Sequence, residues 1–103
     1  METIIYIDLN VDDYEPLSKI HKRFETIEVE YTSGITGLEI IGTLIIPSIA
    51  LCFQIISFIE ELKEKKHKSI VIKKIDIRIN NSVVYLSDNP SKEDIEKTME
   101  KLL

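Results

Sequence analysis

The chain has 103 residues, 44% of them hydrophobic and 30% charged, with a formal net charge of −5. That is the size and composition of one globular domain, 1–103, able to bury a core of its own. The acidic balance argues against nucleic acid as a partner, since that needs a basic face. The single cysteine, Cys52, leaves no disulfide framework within the chain and suits a reducing, cytoplasmic location. The first residues, METIIYIDLNVDD, are acidic and lack the basic start of a secretory signal.

Thr3–Leu9, TIIYIDL, is β-branched and aromatic and apolar on both parities until Asp8, which predicts a buried strand. In DDYEPLSKIHKRF, Asp12 or Asp13 is a candidate helix cap. Pro16 suits a first turn, and Leu17, Ile20 and Phe24 share one helical face. Thr26–Tyr31, TIEVEY, alternates Ile27, Val29 and Tyr31 against Glu28 and Glu30, a strand with one wet face. Together these predict a β-α-β unit.

The glycines of TSGITG (Thr32–Gly37) break the pattern. Ile40–Ile59, IIGTLIIPSIALCFQIISFI, then runs for twenty residues without a formal charge and leads into the basic KEKKHK. Eighteen or so uncharged apolar residues are enough for a membrane span, and basic residues just beyond are where cytoplasmic charge is expected. On a helical wheel, however, Glu39, Thr43, Pro47, Ala50, Gln54, Ser57 and Glu61 fall within about 80° of one another at 100° per residue. A continuous polar or small stripe favours the core helix of a globular domain, with its one wet side turned to a partner. A helix from Gly37 to Lys68 would extend roughly 48 Å at 1.5 Å per residue. A domain of this size has a radius of gyration near 13 Å. Such a rod must overhang or break, and Pro47 is the place to break.

Ser69–Ile79, SIVIKKIDIRI, changes parity at Lys73-Lys74. A β-bulge there keeps Ile70, Ile72, Ile75, Ile77 and Ile79 on one face. Asn80-Asn81 suits a tight hairpin turn into the return strand SVVYL. In SDNPSKEDIEKTMEKLL, Ser91 and Asp94 form a capping box, followed by the stripe Ile95, Met99 and Leu102. The fold predicted is α+β, in the order β-α-β-α-β-β-α, with a small mixed four-stranded sheet covered by a long apolar central helix.

No catalytic constellation is readable, and no metal or cofactor site. His21 and His67 lack a second ligand at metal spacing, and Cys52, flanked by Leu51 and Phe53, reads as a buried inert thiol. SGITG lacks the lysine of a phosphate loop. The basic run KEKKHK is interrupted by Glu64 and has no interleaved aromatics.

A first strand, an acidic turn, an amphipathic helix and a second strand thus precede a Gly-led apolar helix ending SFIEELKEKKHK. The hairpin VIKKIDIRINNSVVYL and a short helix follow. This succession resembles the effector-associated constant component family of bacterial conflict systems across nearly the whole chain. Phe58 matches the aromatic near the end of that family's apolar helix, and Lys65-Lys66 its basic pair. The resemblance implies a non-enzymatic connector of antiviral defence, joining an effector such as a protease to a sensor or NTPase component. The excess apolar perimeter of the helix predicts a homo-oligomer or a hetero-complex. The expected contact residues are Thr43, Ile46, Ala50, Phe53, Gln54 and Ser57. The alternative is a small single-pass membrane protein anchored through residues 40–59.

Overall fold

A computed structural model describes residues 2–33, 39–87 and 89–102. Eight elements follow one another: β1 (Thr3–Val11), α1 (Glu15–Arg23), β2 (Glu28–Ser33), β3 (Ile40–Ile46), α2 (Ile49–Lys65), β4 (Val71–Ile79), β5 (Ser82–Ser87) and α3 (Lys92–Leu102). The protein is α+β. Its sheet has five strands rather than four, in the order β2-β3-β1-β4-β5, and every pairing is antiparallel rather than mixed. The first six elements form the β-α-β-β-α-β succession of the ferredoxin-like split β-α-β arrangement. β5 and α3 extend it beyond β4.

The long central helix is not formed. Residues 40–46 are a strand, Pro47 ends it, and α2 begins after Ser48, whose hydroxyl accepts the Leu51 N–H at 3.2 Å. The physical reason lies in the composition of IIGTLII. Isoleucine and threonine are stiff at χ1 and favour strands, and glycine disfavours helix interiors. A short uncharged apolar run carries no period that separates helix from buried strand. The expected helix start at Gly37 lies outside the described residues. α2 has 17 residues, with Glu60, Glu61, Lys63, Glu64 and Lys65 in its last turns. Among the described residues no helix is long and apolar enough to cross a membrane. Residues 40–59 are thus a strand followed by part of a helix, and not the single helix that such an anchor requires.

The other elements follow local rules. Asp13 accepts the Glu15 N–H at 2.8 Å where α1 starts, and Pro16 sits in its first turn. Ser91 and Asp94 cap α3 reciprocally, at 3.1 and 3.4 Å. Asn80 turns the β4–β5 hairpin with φ 54°. β1→β2 and β3→β4 cross the sheet in opposite directions along oppositely directed strands. The right-handed crossover rule then puts both intervening helices on the same face.

That face is the core. Ile5, Ile7, Leu9 and Val11 of β1, Leu44 and Ile46 of β3, and Ile75, Ile77 and Ile79 of β4 are buried with Leu17 and Ile20 of α1, Ile55, Ile56 and Ile59 of α2, and Ile95 and Met99 of α3. Gly42 lets α1 approach, since a Cβ there would overlap the Leu17 methyls. The bulge occurs where the parity changes. Asp8 faces Lys74 and Leu9 faces Ile72, leaving Lys73 as the extra residue. Asn89 holds the far side, donating its N–H to the Ile72 carbonyl at 2.9 Å and accepting the Ile72 N–H on Oδ1 at 3.3 Å. All five isoleucines from Ile70 to Ile79 are buried.

Because Lys73 is the supernumerary residue, deleting it leaves I-K-I-D-I-R-I in unbroken alternation. The variant is expected to fold and to melt within a few degrees of the parent. Deleting Asp76 instead turns Ile77 and Ile79 outward or, if the bulge absorbs the slip, brings Lys74 into the core in place of Ile75. Each lost isoleucine costs roughly 1.5–3 kcal/mol, against a total stability of about 5–15 kcal/mol. That deletion should abolish the cooperative thermal transition measured by circular dichroism. A second check is Cys52, fully buried, whose thiol burial pushes up from 9.0 to about 12. Thiolate at pH 8 is then about a thousandfold scarcer than for an unperturbed thiol. Alkylation should be slow in the native protein and rapid in denaturant.

Candidate functional site

With every helix on one side, no element covers the second face of the sheet among the described residues. The registers align its side chains in rows. Glu28, Ile45, Tyr6, Asp76 and Tyr85 cross all five strands, and Glu30, Thr43, Asp8, Lys74 and Ser87 form the next row. Ile4, Arg78 and Val83 lie beside the first.

Asp76 is the centre of this surface. It is only 8% exposed although no helix of the described residues covers the sheet there. Arg78, two residues on and so on the same face, grips it with both ends of the guanidinium. Nε donates to Oδ1 at 3.2 Å and Nη2 to Oδ2 at 3.1 Å. The pairing raises the Arg78 pKa further above its ordinary value. The guanidinium carbon lies 5.6 Å from the Tyr6 ring centroid, and Lys74 Nζ lies 4.7 Å from that of Tyr85. Across β1, Thr43 donates its hydroxyl to Asp8 Oδ1 at 2.8 Å. Tyr6, Asp8, Thr43, Lys74, Asp76 and Arg78 line an open hollow of about 260 Å³. Its cations are partnered by carboxylates and rings, and the exposed Glu28 and Glu30 border it on β2.

The six residues expected to form one contact stripe are dispersed by the strand-to-helix change at Pro47. Thr43 lies on the bare face. Ile46 is 0% exposed and belongs to the core, so it cannot reach a partner in the folded chain. Ala50, Gln54 and Ser57 are exposed along the outer side of α2, and Phe53 is half-buried against the core. Gln54 and Ser57 line a groove of about 280 Å³ between α1 and α2 with Arg23, Phe24, Phe58 and Glu61. Phe24 and Phe58 meet edge-on at 5.8 Å, and Arg23 stacks 5.0 Å over Phe58. Two surfaces thus exist on opposite sides of the molecule, where a single stripe was expected.

Sequence reasoning missed Tyr6, Lys74, Asp76, Arg78 and Tyr85. The signal was present in the alternations I-Y-I-D-L-N and K-I-D-I-R-I, where Tyr6, Lys74, Asp76 and Arg78 alternate with the core residues; Tyr85 lies outside both, on SVVYLS. His67, read as part of the basic run, is instead 8% exposed. Its Nε2 lies 4.0 Å from Glu15 Oε1. The Glu15 carboxylate also takes Lys19 at 3.2 Å and Lys66 at 3.3 Å, which hold it below the usual carboxylate range. This cluster ties the start of α1 to the end of α2. Among the described residues no group of three or more His, Cys, Asp or Glu side chains could hold a metal ion. No family model matches the chain, and no curated protein and no solved structure matches it.

Proposed function

We propose that this chain is a non-enzymatic protein-binding module that docks other protein components through its bare sheet face. The observation that carries the reading is the Tyr6–Asp76–Arg78–Tyr85 mosaic on an uncovered sheet. Tyrosine and arginine are the residues enriched at interface hot spots, where a large amphipathic side chain loses little entropy on docking. Nucleic acid is disfavoured there. β3 presents Ile41, Thr43 and Ile45 rather than base-stacking aromatics, and Asp8, Glu28, Glu30 and Asp76 oppose a phosphate backbone. A connector needs two separate contacts, and the outer side of α2 with Ala50, Gln54 and Ser57 is the second.

The resemblance to the effector-associated constant component family puts such a module in a bacterial conflict system, between an effector and a sensor or NTPase. Its main element, one Gly-led helix through residues 40–59, is here a strand and a helix. What remains in support is the outline β-α-β, helix, hairpin, helix.

The test is affinity isolation of the tagged chain from its native host, with bound proteins identified by mass spectrometry. Tyr6→Ala should weaken one specific partner by more than about 1 kcal/mol, as a hot-spot truncation does, without lowering the melting temperature into the working range. Ala50→Arg, on the exposed side of α2, should spare that partner and release a different one. Retention of the same partners by both variants would refute docking through these faces.

A further inference from the structure

The two edges of the sheet are built differently. β2 reads EVEYTS and turns Glu28 and Glu30 to the bare face. Any two-fold pairing of that edge sets carboxylates against carboxylates or their neighbours, the usual protection of a free edge. β5 reads SVVYLS, with no charge, no proline and no bulge in its pairing with β4. Val83 is 48% exposed and Tyr85 56%.

Hydrogen-bond parity shows which backbone groups are free. The Asn80 N–H donates to the Glu2 carbonyl at 2.8 Å, toward β1. Alternation along β4 therefore turns the groups of Ile79, Ile77 and Ile75 toward β5, where they meet Ser82, Val84 and Leu86. The N–H and C=O of Val83 and Tyr85 then point to the outer edge. Among the described residues no other strand pairs there.

We infer that β5 pairs antiparallel with β5 of a second copy of this chain, joining the two sheets into one of ten strands about a two-fold axis at Val84. That register is self-complementary. Val83 lies opposite the copy's Tyr85 and Tyr85 opposite its Val83, giving two aromatic–β-branched pairs on the bare face. Ser82, small, lies opposite Leu86, large. Val83 and Tyr85 are also the residues whose backbone groups face outward, so their pairs exchange the hydrogen bonds. β5 itself brings no charge to the contact, and Lys74 and Arg78 belong to the neighbouring strand β4. A two-fold contact of this kind closes on itself.

Light scattering across a concentration series, combined with amide hydrogen exchange, tests this on the full chain. The mass should rise to twice 11.9 kDa, and the amides of Val83 and Tyr85 should become protected as it does. Val83→Pro removes an outward N–H that the single chain does not use, so it should give a folded monomer with an unchanged circular dichroism spectrum. Val83→Lys with Tyr85→Lys places lysine opposite lysine and should do the same. A chain that stays monomeric throughout would overturn the proposal. So would a dimer in which the Val83 and Tyr85 amides exchange freely, or which persists in both folded variants. Growth into higher oligomers that Glu28→Lys alters would show head-to-tail pairing of β5 with β2, and would equally overturn it.

Discussion

The structure depends on β1 holding two neighbours at once. Its pairings with β3 and β4 place Ile5, Ile7, Leu9 and Val11 at the centre of one face and Ile4, Tyr6, Asp8 and Asn10 at the centre of the other. A one-residue slip against either neighbour would exchange those sets. With four fully or nearly fully buried side chains on one parity of a single strand, the free-energy difference between the two registers is large. The bulge at Lys73 follows from this constraint, because the isoleucines on both sides of it must meet the same face.

The one-sided core has consequences on the other side. Three helices supply the apolar cover for one face, and the split crossovers send α1 and α2 to it together. The second face must then coexist with solvent. It does so through local pairing: Asp76 with Arg78, Asp8 with Thr43, and cations over Tyr6 and Tyr85. Such an arrangement keeps these polar groups paired while leaving aromatic area available. The neutral β5 edge and the acid-guarded β2 edge give the same sheet an accessible side and a protected one.

Much of the fold was legible. The strand at TIEVEY, the α1 face of Leu17, Ile20 and Phe24, the bulge at Lys73-Lys74, the Asn80 turn and the Ser91–Asp94 cap are encoded within a few residues. Each depends on period, turn chemistry or capping. The candidate site was much less legible. Thr43 and Ile46 were assigned to a helix surface, yet one lies on the bare sheet and the other in the core. A contact surface made of five strands draws neighbours from positions such as Tyr6, Asp76 and Tyr85, which no local pattern relates.

The sequence by itself determined where apolar side chains recur, at which parity, and where the chain must turn, since those properties are set by residues next to one another. It also marked Pro47 as a break. Only the tertiary structure decided that Ile40–Ile46 is a strand, because an uncharged β-branched run has no period of its own and adopts the state whose hydrogen bonds are offered from outside. Here β1 and β2 offer them on both sides. The same holds for the bare face. Which parity meets water depends on the side to which the crossover helices fold, and that is a property of the handedness of the whole chain path.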